Sequence, residues 1–293
     1  MFDVALRGAG GEPISFARTI YSHGCADLPP AAYQGPPLVY RRAFALGERV
    51  IDVSMREERG RLIAETTARI GRGGADRIGA QIARMFRLSD DLAPFYAQIS
   101  EDPQLGWAAD GAGRLLSSPT VFEDVVKTIC TTNCAWSATV RMTRALVELG
   151  AGAFPEPAAV AHAPDAWFRD VARMGYRGPY LQTIARAVVD GSLDLEALLP
   201  AFGRDDDDVE AALLALPGIG PYAAAHVMQL LGRHRRLVLD SWTRPTYLRL
   251  AKKKRAADST IKRTFARYGD HAGLAFWLFL TRGWLDERLH PGV

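Results

Sequence analysis

Cysteine is scarce in this chain: Cys25, Cys130 and Cys134 are the three among 293 residues. They are too few for a disulfide framework and too scattered for a four-thiolate metal or iron–sulfur site. Cys130 and Cys134, one helical turn apart, read as reduced core thiols. Long apolar runs are missing too. The longest near either end, Leu274–Leu280, falls far short of the roughly 20 residues that span a bilayer. Residues 1–20 interleave Asp3, Arg7, Glu12 and Arg18 among apolar positions, leaving no continuous core for a signal peptide. No repeat of fixed period appears, and only Asp205–Asp208 is low in complexity. These absences describe a soluble, intracellular protein with no membrane association. With 48% hydrophobic and 24% charged residues it is not disordered. Its length suits two domains or one large one.

Net charge is only +3, yet it is unevenly spread. Between Arg233 and Arg267 stand twelve Lys or Arg against two acids, Asp240 and Asp258. That stretch carries +10 and the remainder of the chain −7. Such a patch is what a polyphosphate partner needs. A solvated basic helix face would look the same, so charge alone does not decide.

The first 70 or so residues read as strands. Phe2–Arg7, Pro37–Leu46, Arg49–Met55 and Arg61–Thr67 are rich in β-branched and aromatic residues and partly alternate. Turn material separates them at 8–13, 29–36 and 57–60. From Asp76 onward apolar spacings of three and four predict helices over 78–88, 121–130, 140–149, 180–189, 209–216, 223–231 and 273–280. Ser118-Pro119 reads as a cap and first-turn pair, and the Asp205–Asp208 run as a helix N-terminus, where the dipole favours acids. The expectation is an α+β chain: an antiparallel sheet domain over 1–75 and a helical body over 76–293.

The most informative stretch is Leu214–Ala225, LALPGIGPYAAA. A helix ends near Leu216, Pro217-Gly218-Ile219-Gly220 turns, and Pro221 takes the first position of the next helix. Two glycines allow a sharp turn and close approach of a partner, and the unpaired amides of the second helix point outward as an anion site. This is the pattern of a helix–hairpin–helix element, over about 207–232, although any Gly-Pro turn between antiparallel helices shares its outline. Eighteen residues past Tyr222, the apolar Leu237-Val238-Leu239 ends in Asp240. A carboxylate held among apolar and basic residues can stabilise positive charge on a substrate or orient a water. It can equally cap the helix that follows from about Trp242, and both roles are compatible.

Leu-Pro-Gly-x-Gly, a helix, then an apolar run ending in Asp resembles the signature of the helix–hairpin–helix DNA glycosylase superfamily. The layout is similar to its 8-oxoguanine and 3-methyladenine DNA glycosylase branches. The resemblance implies a mainly helical two-lobed body with a small N-terminal antiparallel sheet, and Asp240 at the mouth of a lesion pocket. Thr128–Asn133 resembles the helix–break–helix segment, which implies that Asn133 contacts the base opposite the lesion. Met174–Tyr180 resembles the Gly-Tyr-Arg element, which implies a wedge at Tyr176 and an orphan-base reader at Arg177. Tyr176 taken alone could be a core aromatic and Asn133 a helix terminator; their occurrence in family order speaks against both. Gly218, Ile219, Gly220, Tyr222 and Arg244 complete the expected DNA-binding set. Some members hold a monovalent cation on hairpin carbonyls, here those around Leu216 and Ile219; no other cofactor is implied. The implied partner is double-stranded DNA with a damaged base, and the implied state a monomer, cytoplasmic on the nucleoid or nuclear.

Departures from the family pattern bear on the chemistry. Strand-cutting members carry a Lys two residues past the second hairpin Gly, as nucleophile for a Schiff base. Here that position is Tyr222, and a phenol forms no imine, so a monofunctional glycosylase is expected. The Lys252–Lys254 run reads as a phosphate contact or a solvated face. Where the 8-oxoguanine branch has a reading Gln, this chain has Phe276, and its N-terminal reading Gly falls on Pro13. The expected base pocket instead carries Trp242, Phe276, Trp277 and Tyr222, with Tyr247 and Trp284 nearby. Electron-rich rings favour flat cations, which points to alkylated purines such as 3-methyladenine or 7-methylguanine. Oxidised purines are the alternative substrate, and a non-catalytic damaged-DNA-binding protein the alternative of another class. Phe276 and Trp277 could also simply pack in the core, and as helix neighbours at most one can face the pocket squarely.

Overall fold

The computed structural model describes residues 2–284. Five strands, β1 (Phe2–Ala5), β2 (Ala31–Gln34), β3 (Val39–Leu46), β4 (Arg49–Glu58) and β5 (Arg61–Thr66), form one sheet in the order β1-β5-β4-β3-β2. Every neighbouring pair is antiparallel. Two-residue turns set the registers: Gly47-Glu48 pairs Leu46 with Arg49, and Arg59-Gly60 pairs Glu58 with Arg61. Gly47, Arg59 and Gly60 have positive φ, as tight hairpins require. Along β4, Ile51, Val53 and Met55 are buried while Asp52, Ser54 and Arg56 are not, the period of two that faces one side to a core.

That core is closed by helices. A short helix α1 (Phe16–Ile20) lies between β1 and β2, and α2 (Arg72–Met85) follows the sheet. Phe16, Ile20, Ile78, Ile82 and Met85 pack with Phe44, Ile51, Val53, Met55 and Leu62. The remaining helices are α3 (Ala93–Ile99), α4 (Val121–Thr131), α5 (Trp136–Leu149), α6 (Pro157–His162), α7 (Arg177–Val189), α8 (Asp206–Leu214), α9 (Pro221–Leu230), α10 (Thr243–Leu250), α11 (Asp258–Phe265) and α12 (Ala272–Thr281). They bury two further cores. One runs from Val121 to Leu231 and holds α4 to α9; the other joins α3 to α10, α11 and α12. Leu230, the last residue of α9, belongs to the second core, so α9 spans the two lobes. No helix among the described residues is long and apolar enough to cross a membrane.

The expected α+β arrangement is present, with differences that have physical reasons. β2 has no apolar alternation and forms by pairing with β3. The helices α1, α3, α6 and α11 are five to eight residues long, too short for a periodic signal. Ser118-Pro119 does not start α4. Thr120 does, its hydroxyl accepting from the Glu123 amide (3.2 Å), while the Ser118 amide donates to Asp124 (2.7 Å). Asp205 caps α8 through the Asp208 amide (2.8 Å), as the acidic run leads one to expect.

Buried charge pairs lock the sheet to the helical body. Arg42 of β3 reaches Glu123 of α4 (2.5 Å), which also pairs with Lys127 (2.7 Å), and Arg84 of α2 pairs with Asp124 (2.9 Å). Arg114, fully buried, pairs with Glu12. Burial acts to raise the Glu12 carboxyl, but the Leu92 amide and the Arg114 guanidinium outweigh it and hold it below the usual range. Removing one member of such a pair strands a buried charge. Arg114→Ala is therefore expected to destabilise the fold by about 3–5 kcal/mol in urea unfolding. Replacing both partners with apolar residues should recover much of that loss.

Candidate active-site cleft

The hairpin turn is built as its glycines suggest. After α8 the chain turns with Gly218 at φ +86, Gly220 flanks α9 as its N-cap in extended conformation, and Pro221 takes the first helical position. A Cβ on Gly218 would come within 2.8 Å of the Tyr180 ring, so the turn and α7 are in contact. The Ile219 side chain is buried in the α4–α9 core, leaving its backbone to the turn.

Beside this turn opens a cleft of about 730 Å³. Its walls bring together Asn133, Tyr176, Gly218, Gly220, Tyr222, Asp240 and Arg244 from four separate stretches of chain. Thr131, Thr132 and Tyr180 also line it.

Asp240 sits between the lobes, just ahead of α10. Its Oδ1 accepts from the amides of Trp242 (2.8 Å) and Thr243 (2.6 Å), while its own amide donates to Thr243 Oγ1 (2.8 Å). The capping role is real and uses a single carboxylate oxygen. Among the described residues Oδ2 makes no hydrogen bond and is left for the cleft.

Tyr222, the second residue of α9, is half-buried. Desolvation first, and then the nearby Asp240 charge, push its phenol upward, with a hydrogen bond to Thr131 opposing them, so it stays protonated at neutral pH. Its ring is near-parallel to that of His226, one helical turn on (centroids 6.2 Å, interplanar 18°). Burial holds His226 neutral, pulled down to about 3 with a further contribution from His23. His226 meets Trp277 (6.5 Å), which meets Trp242 (5.8 Å) and Trp284 (5.9 Å). An aromatic series thus runs from the cleft to α12. Sequence reasoning passed over His226; its spacing of four from Tyr222, in a helix fixed by Pro221, was the available signal.

Other expected site residues lie elsewhere. Phe276 is fully buried, packed against Phe265 (5.2 Å) and Tyr247 (6.2 Å), so it is a core residue and not a pocket wall. Tyr247 is buried with it. Adjacent positions on α12 face different ways, which is why Trp277 reaches the aromatic series and Phe276 does not. Trp242 and Trp277 stand behind the cleft, not among its lining. Arg177 does not project into the cleft: it is buried, its Nη2 donates to the Thr132 carbonyl, and its guanidinium lies 4.5 Å from the Tyr176 ring. It satisfies a carbonyl that the end of α4 leaves orphaned, just before Asn133, which is exposed at φ +46. Arg177 therefore braces both Asn133 and Tyr176.

The basic stretch also divides. Arg233 and Arg236 are tied to Asp206, Asp207 and Glu210 of α8. Arg244 is bidentate to Asp258 (2.8 and 2.9 Å), and Arg267 pairs with Asp102. Arg249, Lys252, Lys253, Lys254, Arg255, Lys262 and Arg263 remain exposed at the α10–α11 corner.

The chain shares its fold with solved DNA glycosylases. The fold matches a 3-methyladenine DNA glycosylase of Archaeoglobus fulgidus with a TM-score of 0.73 at 19% identity, covering 96% of this chain and 98% of that one. It matches an 8-oxoguanine glycosylase/lyase of Clostridium acetobutylicum with a TM-score of 0.69 at 18% identity, covering 92% and 94%. By sequence the chain is 24% identical, over 252 residues, to a probable N-glycosylase/DNA lyase of Methanothermobacter thermautotrophicus, covering 73% of this chain and 78% of that protein. No family model matches.

A buried neutral His binds fewer protons folded than unfolded, so His226 stabilises the fold fully above the unfolded value near 6.5 and progressively less as pH falls toward 3. His226→Phe should flatten the acid-side loss by up to one proton, about 1.4 kcal/mol per pH unit. Urea unfolding as a function of pH checks this.

Proposed function

We propose that this chain is a base-excision DNA glycosylase acting on a damaged purine in duplex DNA. The observation that carries the reading is Asp240: one oxygen fixed by two amides, the other open to a cleft between a phosphate-suited hairpin and an exposed tyrosine. A glycosidic bond inside a duplex is out of reach, so the nucleotide must be flipped at a cost of a few kcal/mol. The hairpin amides anchor phosphates of the flipped strand. Tyr176, 49% exposed, fills the hole, with Asn133 beside the orphaned base. The exposed bases of the α10–α11 corner add phosphate contacts that salt would screen.

Alkylated purines are the favoured substrates. They carry positive charge, and Tyr222 offers the cleft a π-face worth roughly 0.5–2 kcal/mol, backed by neutral His226, Trp277 and Trp242 with no competing cation. As the bond between C1′ and the purine nitrogen breaks, its electron pair leaves with the base and neutralises the ring. Positive charge then grows on the sugar, where the Asp240 carboxylate stabilises it. Water adds to C1′ and releases a proton to Asp240 or solvent. An acid to protonate the leaving base is not required.

With a phenol at Tyr222 in place of an amine, the reaction ends at the abasic site. The backbone oxygens around Leu216 and Ile219 have the donor chemistry for a monovalent cation that would brace the turn; no step passes through it.

Base release from duplexes each holding one methylated, deaminated or oxidised purine tests the substrate class. Methylated purine should be released fastest; preferential release of the oxidised base would give the chain to the oxidised-purine reading. Asp240→Asn keeps an oxygen for the α10 cap and removes the charge. It is expected to lower base release by about 10³-fold or more, with duplex affinity nearly unchanged; equal loss of both would point to a binding protein. Borohydride should trap no covalent protein–DNA adduct, and a trapped adduct would contradict the assignment of Tyr222.

A further inference from the structure

The cleft has two walls, and the hairpin forms one of them. The other runs outward from Asn133 and Tyr176 onto α5 and residues 171–176. Trp136, the first residue of α5, is 46% exposed, and Val171 is 56% exposed. On α5, Trp136, Val140, Arg141 and Arg144 fall within an arc of about 140° at 100° per residue, while Thr139, Met142, Thr143, Ala145 and Leu146 are buried behind them. Arg141 Nη2 donates to the Arg173 carbonyl (3.5 Å), which joins the two segments into one surface. Arg173 itself is exposed, three residues before Tyr176. None of Arg141, Arg144 and Arg173 is in an ion pair among the described residues, whereas neighbouring Arg169 is closed on Asp170 (2.9 Å). Glu148 is the acid on this face, at the end away from the cleft. Exposed rings beside free guanidiniums suit a polyanion that carries flat, stackable groups.

We propose that this face, Trp136 with Arg141, Arg144 and Arg173, binds the strand complementary to the one whose nucleotide enters the cleft. The inference rests on the base-excision reading, because it takes the duplex to be opened at Tyr176. Asp240 and the hairpin lie on one side of that wedge and must hold the flipped strand. Asn133 and α5 lie on the other side, against its partner. The guanidiniums neutralise phosphates of the complementary strand and set its path, and the indole stacks on a sugar or base edge that the wedge uncovers. A single strand has no occupant for this wall, so the face favours duplex over single-stranded DNA.

Fluorescence anisotropy with a short undamaged duplex and with one of its strands alone, over a range of salt, tests this on the intact protein. The triple variant R141A/R144A/R173A should weaken duplex binding by about tenfold or more and lower the slope of log affinity against log salt by about 2–3, as loss of three phosphate contacts requires. Single-strand affinity should stay within about twofold, because that strand occupies the hairpin side. Trp136→Ala should weaken duplex binding selectively, and Trp136→Phe, which keeps a stacking ring, should restore most of it. Equal loss on duplex and single strand, or an unchanged duplex affinity and salt slope, would overturn the proposal. Base release is not the readout. A wild-type protein that binds duplex but excises nothing would remove the activity and leave this face in place.

Discussion

Everything in the cleft hangs on how one carboxylate is divided. Asp240 Oδ1 accepts from the amides of Trp242 and Thr243, and the Asp240 amide donates to the Thr243 hydroxyl oxygen. That reciprocal cap fixes the first turn of α10 and, by the same bonds, the direction of Oδ2. A free aspartate would sample its rotamers and point into the cleft part of the time; this one is held by the helix it starts. The cost of preorganising a charge is thereby met by a structural interaction the lobe needs anyway.

The hairpin and the Tyr176 element are coupled through sterics and not through charge. Gly218 sits where a Cβ would strike Tyr180, and Tyr180 meets Tyr176 with centroids 5.8 Å apart. Arg177 then reaches back from the start of α7 to the end of α4 and braces Asn133. The turn, the exposed tyrosine and the exposed asparagine thus form one unit of three chain segments, resting on the shared α4–α9 core. Buried charge pairs between β3, α2 and α4 fasten the sheet to the same helix from behind.

Electrostatics inside the site are arranged by removing positive charge. His226 is neutral because it is buried, Tyr222 keeps its proton, and Arg244 is closed on Asp258. Outside the cleft the pattern reverses, with exposed basic side chains at the α10–α11 corner and along α5. A neutral, aromatic interior behind a cationic rim is consistent with drawing in a polyanion while leaving room for an electron-poor ring.

The amino-acid sequence by itself determined the turn and the residues on either side of it. Pro217-Gly218-Ile219-Gly220-Pro221 permits few other backbones, and Asp240 after three apolar residues has few partners to choose from. These are local properties, written in φ preferences and helix capping. Only the tertiary structure decided which aromatic rings matter. Phe276 and Trp277 are equivalent in composition and hydrophobicity, and which one faces α9 depends on the rotation of α12 against two other helices. Likewise, the twelve bases from Arg233 to Arg267 look like one patch in sequence, and folding places the acids of α8 against Arg233 and Arg236. Arg177 carried a charge that the motif directed toward the ligand, and the orphan carbonyl at the end of α4 claimed it first. Each difference arises between segments far apart in the chain, where packing and desolvation outweigh anything a local pattern records.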